Sequence, residues 1–296
     1  MAAETFVANP RPAATVVVLR DGPAGPEVFL VRRHEGMSFM GGAHVFPGGR
    51  VDASDHDGTA EWCDGVDAAT ERLADLTPRD AIAYHVAAAR ELFEEAGVLL
   101  ARGETGGFIS LAGVEVRERF KRYRKDVHSG AASMRRIVER EHLRLALDSL
   151  VLFAHWVTPP IDTRQFDTRF FLSRVPPAQT PAHDKAETID SVWLTAKAAM
   201  AQAQSAHIVL PPPTWTALRE LESFVTVDEA IAWARARRIV RRQPMLVEED
   251  GRRMLLMPGD PLHPDPGGDD APAETRFVSV DRQWRAERPP GGRPAT

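Results

Sequence analysis

Apolar segments near the start of the chain predict a β-hairpin. Residues 14–20 (ATVVVLR) and 27–33 (EVFLVRR) are rich in apolar and β-branched side chains, as strands are. The six residues between them, DGPAGP, are turn formers. Apolar runs at 150–157, 168–175 and 191–194 predict three further strands. We expect these strands to form one mixed sheet.

The clearest helical pattern follows Thr77. Thr77 and Asp80 form the start of a capping box around a proline at the first helical position, and Gly97 stands where a C-terminal cap belongs. At about 100° per residue, one stripe of this helix is apolar. Its members are Ile82, Val86, Ala89, Phe93 and Ala96. This stripe is expected to be buried against the sheet.

Three carboxylates share the other face of this helix. Glu91, Glu94 and Glu95 are spaced so that they point the same way, and like charges so close destabilise an isolated helix. A divalent cation reverses that effect, because hard carboxylate oxygens are the ligands that Mg²⁺ and Mn²⁺ select. Taken alone, the cluster is more typical of a solvated surface. The nearby Arg90 and the turn at 46–49 (FPGG) favour a cation site.

The rest of the chain divides into helices, an acidic segment and a tail. Helices are predicted at 115–125, 133–145, 196–204 and 227–238, so that 115–147 forms a helical section. Residues 52–77 contain many acids and are expected to form a solvated insert. We expect one domain over 10–260 and a flexible, Pro/Gly-rich tail over 261–296, in which 276–284 is a candidate edge strand.

Composition restricts the class of protein. The net charge of −5 argues against non-specific nucleic-acid binding. The chain contains no apolar run of the ~20 residues that a membrane helix needs. A single cysteine, Cys63, excludes an internal disulfide and suits a reducing compartment. With no export signal at residues 1–12, we expect a cytoplasmic location.

The turn and the acidic helix together resemble the Nudix box, whose pattern is G-x5-E-x7-R-E-U-x-E-E-x-G-U, with U aliphatic. The second half matches without a gap at Arg90, Glu91, Leu92, Glu94, Glu95, Gly97 and Val98. Gly49 matches the first glycine, but Arg90 follows it by 41 positions rather than 14, which leaves 27 extra residues. The first glutamate of the pattern is missing, and Asp55 stands six positions after Gly49.

The position of the extra residues narrows the resemblance to one branch of the Nudix hydrolases. Nudix hydrolases with a long insert inside the box include coenzyme A diphosphatases, and residues 154–159 and 166–172 are also similar to that branch. The resemblance implies an α/β (α+β) fold, namely an α/β/α sandwich with a mixed sheet and helical decorations. Such decorations cover the substrate or build a homodimer interface. The resemblance also implies that the turn lies beside the acidic helix despite the insert.

The resemblance assigns roles to individual residues. It implies Mg²⁺ or Mn²⁺ held by Glu91, Glu94 and Glu95, with Glu94 and Glu95 catalytic. Glu187, in a loop before a strand, is the candidate general base, with His155 and His183 as alternatives and the insert acids Asp52 and Asp55 as a fallback. Arg33 and Arg169 are candidate substrate-binding residues, although each also suits a structural ion pair. The structural motif residues are Gly48, Gly49, Arg90 and Gly97.

Three functions fit this pattern. The first is metal-dependent hydrolysis of the diphosphate of coenzyme A or acyl-coenzyme A. The second is the same reaction on another small nucleoside diphosphate derivative, such as NADH or ADP-ribose. The third is a catalytically silent ligand sensor, against which the intact set of Arg90, Glu91, Glu94 and Glu95 argues.

Overall fold

A mixed sheet of eight strands forms the centre of the described part of the chain. The computed structural model describes residues 9–36, 40–160, 164–184, 186–249, 251–267, 273–280 and 283–290. The strands in chain order are β1 Arg11–Gly22, β2 Gly25–Arg33, β3 His44–Val45, β4 Gly48–Arg50, β5 Cys63–Asp64, β6 Ala101–Arg102, β7 Arg144–Ala146, β8 Val151–Val157, β9 Phe166–Arg174, β10 Thr188–Thr195, β11 Arg241–Arg242, β12 Met245–Glu249, β13 Arg252–Leu256, β14 Arg276–Val280 and β15 Gln283–Glu287. The helices are α1 Val66–Arg72, α2 Pro78–Ala96, α3 Val114–His128, α4 Met134–Arg140, α5 Ala196–Gln204, α6 Pro212–Leu221 and α7 Val227–Ala236.

The order of strands in this sheet is β10-β2-β1-β9-β8-β11, with β3 paired to β2 and β4 paired to β1. Strands β1 and β9 run parallel, as do β8 and β11, whereas the other pairs are antiparallel. The expected hairpin is β1–β2. The prediction of a mixed sheet is confirmed.

Helices cover both faces of the sheet. On one face, α2 packs on Val16, Val18 and Phe171. On the other face, α5, α6 and α7 pack on Val17 and Leu172. Because successive side chains of a strand point to opposite faces, Val16 and Val17 belong to different cores. The α/β/α sandwich is therefore confirmed.

The local signals that predict α2 operate as expected. The Thr77 hydroxyl accepts the backbone N–H of Asp80 at 3.2 Å, and Pro78 occupies the first helical position. Gly97 ends the helix in the left-handed region at φ +67°, a conformation that glycine adopts without steric cost. The helix is buried on more than its apolar stripe, since Glu94 and Glu95 are 9% and 4% exposed.

His85 lies at the centre of α2 and makes the fold sensitive to acid. Its Nδ1 is 2.8 Å from the Ala81 carbonyl, its ring packs on Phe171, and burial lowers its pKa from 6.5 to about 4. Because protonation is harder in the folded state, the contribution of His85 to stability should be greatest above pH 6.5. This contribution should fall by about 3 kcal/mol as the pH falls from 6.5 to 4. Urea unfolding of wild type and His85→Gln across this range should show a flatter profile for the variant. If wild type and His85→Gln lost equal stability in acid, His85 would not be the source of the acid sensitivity.

The helix predicted over 133–145 is wrong in its second half. Helix α4 ends at Arg140, and His142 adopts a left-handed φ of +54°. The chain then forms β7, where Leu145 pairs with Cys63 of β5 and Ala101 of β6. Sheet partners distant in sequence thus override the local helical pattern.

The acidic insert is folded rather than a solvated loop. It contains a 3₁₀ helix at Ala53–Asp57, the strand β5 and the helix α1. Cys63 is 1% exposed, and burial raises the pKa of its thiol to about 12. A thiol so protonated is a poor nucleophile.

The C-terminal region forms a second sheet with the order β12-β13-β14-β15. Strands β12 and β13 come before residue 260, whereas β14 and β15 belong to the segment that was expected to be a flexible tail. Pairing of β13 with β14 makes this part of the tail a portion of the folded domain. Phe277 is 1% exposed and belongs to the core beneath α6 and α7. No sequence pattern predicted α6, which begins within a run of three prolines. Among the described residues, no helix has the length and apolarity that crossing a bilayer requires.

Candidate active site

The glycine turn and the acidic helix meet although the insert separates them in sequence. The Gly48 N–H donates to Glu95 Oε2 at 3.0 Å. A Cβ on Gly49 would lie 2.5 Å from Glu91 Oε1, so only glycine allows this approach without displacing the carboxylate. A Cβ on Gly48 would lie 2.5 Å from the Ala14 carbonyl of β1. The expected proximity of turn and helix is confirmed.

Arg90 ties the helix to the insert. Its Nε and Nη2 each bind one oxygen of Asp55 at 2.9 Å, and its Nη1 contacts Glu91 at 2.8 Å and Glu94 at 3.0 Å. Nη2 also donates to the Arg50 carbonyl. Burial opposes the charge of Arg90, but the hydrogen bond to Asp55 and the surrounding carboxylates outweigh it and raise its pKa. Arg90 thus holds the box acids in place, as expected of a structural residue.

The acids around Arg90 carry more negative charge than Arg90 balances. Burial, with repulsion from Glu94, raises the pKa of Glu91 to about 7 despite its contact with Arg90. Burial and the charge of Glu91 raise the pKa of Glu95 well above 4.5, although the Gly48 N–H and the charge of Arg33 oppose this. The site therefore favours an added positive charge.

This donor set fits a hard divalent cation. Carboxylate oxygens are the ligands that Mg²⁺ and Mn²⁺ prefer, and a cation would offset the repulsion that raises the two pKa values. Within the described ranges, no three His, Cys, Asp or Glu side chains converge as an assembled cation site. Instead, Glu95 accepts from Gly48, and Glu94 lies between Arg90 and His128.

A cavity of about 580 Å³ opens beside these acids. Its size lies within the range usual for small-molecule sites. Of the residues selected from sequence, the following line it: Arg33, Gly48, Gly49, Asp52, Arg90, Glu91, Glu94 and Glu187. Glu95 lies directly behind Gly48, and Gly97 caps α2 outside the cavity.

Glu187 reaches the cavity from a well-held loop. The Asp184 carboxylate accepts the backbone N–H groups of Ala186, Glu187 and Thr188 at 3.1, 3.2 and 2.9 Å. The Glu187 carbonyl accepts the N–H of His34. The charge of Glu187 contributes to the raised pKa of Glu95, which places both carboxylates in one electrostatic environment.

Two arginines offer positive charge to the cavity. Nε of Arg33 is buried and makes no hydrogen bond to any described residue. The exposed Arg50 side chain has no ionic partner among the described residues, whereas its carbonyl binds Arg90. Arg50 was not among the residues selected from sequence, although its position directly after Gly48 and Gly49 is a usable signal.

The structure does not bring Arg169 to this cavity. Strand β9 alternates, so that Thr168 and Phe170 line the cavity while Arg169 points to the opposite face. There Arg169 is 4% exposed, contacts Asp75 at 2.6 Å and lies over the ring of Tyr84. The prediction of a substrate-binding role for Arg169 is thus replaced by a structural ion pair.

The alternative bases also lie elsewhere. His155 is buried and contacts Asp167 at 2.8 Å, and His183 contacts Ser191 at 3.1 Å; neither lines the cavity. The histidine that does line it is His128, the last residue of α3, whose Nδ1 is 3.6 Å from Glu94 Oε2. No sequence motif marks His128, because only the packing of α3 on α2 brings it there.

Comparisons with known proteins agree with this geometry. The sequence model of the NUDT19 Nudix domain matches residues 66–221. The human acyl-coenzyme A diphosphatase NUDT19 is 30% identical, with 86% of this chain and 76% of the human protein covered. Its Xenopus laevis counterpart is 24% identical over 81% and 72% of the two chains. A Nudix hydrolase crystal structure from Alicyclobacillus acidocaldarius superimposes with a TM-score of 0.63 at 28% identity, covering 76% of this chain and 96% of that one. The chain is a Nudix hydrolase and belongs to the family of NUDT19 Nudix domains.

Proposed function

We propose that this Nudix hydrolase cleaves the diphosphate of coenzyme A or acyl-coenzyme A. The observation that carries the proposal is the acidic cluster on α2, of which Glu91 and Glu94 line a cavity of ligand size and Glu95 lies directly behind Gly48. Coenzyme A as the substrate rests on the names of the vertebrate relatives, which are acyl-coenzyme A diphosphatases. The products would be phosphopantetheine, which is acylated when the substrate is acyl-coenzyme A, and adenosine 3′,5′-bisphosphate.

Glu91, Glu94 and Glu95 are the proposed ligands of Mg²⁺ or Mn²⁺. Nudix hydrolases generally need a divalent cation. When bound, such a cation neutralises phosphate charge and lowers the pKa of a bound water. Arg90 positions Glu91 and Glu94 for this task through its bonds to both.

The remaining polar residues act on the substrate in this proposal. The buried Nε of Arg33 offers a donor to a diphosphate oxygen, and so does the guanidinium of Arg50, which has no ionic partner among the described residues. Glu187 would accept the proton of the attacking water, since its loop is held at the edge of the cavity.

A substrate panel tests the proposed function. Coenzyme A, octanoyl-coenzyme A, NADH and ADP-ribose, each with Mg²⁺, with Mn²⁺ and with chelator, would be followed by mass spectrometry. We expect the highest kcat/KM for the coenzyme A compounds, and none in chelator. A higher value for NADH or ADP-ribose would support a different diphosphatase, and binding without turnover would support a ligand sensor.

Glu187→Gln tests the general base. The substitution preserves volume and removes the proton acceptor, so kcat should fall about a hundredfold or more while KM changes little. Glu104→Gln, at an exposed site outside the cavity, is the matched control. Wild-type kcat in Glu187→Gln would remove Glu187 from this role and direct attention to Asp52, which also lines the cavity.

Gly49→Ala tests the close approach of the turn to Glu91. The added methyl group should displace the Glu91 carboxylate, whose Oε1 would otherwise lie 2.5 Å away. Moving the Glu91 carboxylate out of its position should lower kcat about a hundredfold. Stability should change little, because the end of the Glu91 side chain can move without shifting the backbone. Gly107→Ala, where the new methyl group meets nothing closer than 4.0 Å, should be neutral in kinetics and in thermal melting. Equal kinetics for both variants would contradict the role of Gly49.

The extent and location of the enzyme are also part of the proposal. The folded unit is proposed to include β14 and β15, because these strands complete the C-terminal sheet. Truncation after residue 260 should therefore lower the melting temperature, whereas a dispensable tail would leave it unchanged.

A cytoplasmic location is also part of the proposal, and it is supported by the buried, unpaired Cys63.

A further inference from the structure

The cavity carries a second, chemically different surface away from the acids. We define the apolar wall as Trp156 of β8, Phe170 of β9, Pro212 of α6, Leu255 of β13 and Trp284 of β15, all of which line the cavity. Two of these residues, Leu255 and Trp284, belong to the C-terminal sheet, which follows the central sheet in sequence. None of the five belongs to the turn or to α2.

We propose that the apolar wall binds the aliphatic acyl chain of acyl-coenzyme A and sets the preference of the enzyme for chain length. This inference rests on the proposed function, because the diphosphate must lie at Glu91, Glu94 and Glu95 for the chain to extend along the same cavity. The C-terminal sheet would then determine specificity rather than simply support the fold.

The chemistry of the apolar wall favours an alkyl chain over the other groups of the substrate. The prolines at 211–213 have no backbone N–H, and Leu255 and the aromatic rings add carbon surface. Thr214 is the polar side chain that α6 adds to the lining. An adenine edge needs several donors and acceptors, and a phosphate needs cations such as those at Arg33 and Arg50. An alkyl chain needs only carbon surface.

The apolar wall is anchored to the main core. Leu255 is 9% exposed and belongs to the same core as Trp156 and Phe170, which are 4% and 7% exposed. Leu255 pairs with Phe277 in β14, and Trp284 pairs with Ser279. A surface held in this way is formed before the ligand arrives, so little ordering cost accompanies binding.

The size of the effect follows from the transfer of methylene groups out of water. Each buried methylene should raise kcat/KM about fourfold until the apolar wall is covered, after which added carbons should have little effect. Wild type should therefore show a rising series from acetyl- to butyryl- to hexanoyl-coenzyme A, followed by a plateau.

Leu255→Ala and Leu256→Ala form a matched pair for the test. Both leucines are buried on β13, but Leu256 points into the other core of the C-terminal sheet and does not line the cavity. Both variants should lose stability in thermal melting. Only Leu255→Ala should lower the ratio of kcat/KM for hexanoyl-coenzyme A to that for coenzyme A, by about tenfold. Leu255→Phe, which fills space instead of creating it, should move the plateau to shorter chains and remains informative if Leu255→Ala does not fold.

The outcomes separate this inference from the proposed function. Hydrolysis of all coenzyme A compounds with no dependence on chain length would overturn the acyl subsite alone. So would an equal change for coenzyme A and hexanoyl-coenzyme A in Leu255→Ala, which would assign the apolar wall to the adenine or pantetheine part. Absence of hydrolysis of every coenzyme A compound, with turnover of another diphosphate, would overturn both proposals.

Discussion

Glu95→Gln is expected to reduce kcat at least about a hundredfold at saturating Mg²⁺ while leaving the fold intact. The substitution removes a charge but keeps an oxygen that can accept the Gly48 N–H, now bonded to Glu95 at 3.0 Å. The metal-free variant should melt at the same temperature as wild type or higher, because burial and the charge of Glu91 raise the pKa of Glu95 and thus disfavour its ionised form. Steady-state kinetics and thermal melting measure the two effects.

Metal titration adds a second readout for Glu95. A cation that binds only the folded state raises the melting temperature, so Mg²⁺ should stabilise wild type more than Glu95→Gln. Glu104→Gln, at an exposed glutamate outside the cavity, should respond as wild type does. Near wild-type turnover by Glu95→Gln, or equal stabilisation by Mg²⁺, would be incompatible with Glu95 as a metal ligand.

Arg90→Met should give the largest loss of stability, about 3–5 kcal/mol in the free energy of unfolding near neutral pH. Arg90 is 6% exposed and binds Asp55, Glu91 and Glu94, so its removal leaves these carboxylates without the guanidinium charge that balances them. Adding Asp55→Asn should restore part of the loss, because Asp55 is 1% exposed and carries the most buried of these charges. Urea unfolding of the two single variants and the double variant gives the coupling energy between Arg90 and Asp55.

A surface ion pair supplies the comparison for Arg90. Arg102 binds Asp148 at 2.7 Å with partly exposed side chains, and Arg102→Met should cost no more than about 1 kcal/mol. Similar losses in the free energy of unfolding for Arg90→Met and Arg102→Met would indicate that burial does not determine how much the Arg90 ion pairs contribute to stability.

Features that depend on neighbours in sequence could be predicted well. Helix α2 has its caps at Thr77 and Gly97, and its three glutamates share a face because of helical geometry alone. Strands β1 and β2 follow from their apolar runs and the turn between them. These signals are local, so no knowledge of the fold was needed to interpret them.

Features that depend on distant partners could not be predicted from the same patterns. Asp55 was marked as standing in the place of a missing glutamate, but its bidentate bond to Arg90 follows only from the folding of the insert back onto α2. Arg169 has the positive charge expected of a substrate-binding residue, but side chains alternate in direction along β9, and Arg169 points away from the cavity toward Asp75. Strands β12 to β15 are short, and they are held by one another and by the core beneath α6 and α7.

The amino-acid sequence by itself determined the acidic helix, the glycine turn, the strands of the hairpin and membership in the Nudix superfamily, because each depends on residue identity at short spacing. Tertiary structure alone decided which residues face the cavity. It brought Gly48 to Glu95 across 47 positions and paired Arg90 with Asp55. It also placed Leu255 and Trp284 beside Trp156 and Phe170, although sequence patterns indicated for this region only the end of the domain and a flexible tail with a candidate edge strand at 276–284. The physical reason is that burial and packing between distant elements determine side-chain direction, and these interactions exist only once the chain has folded.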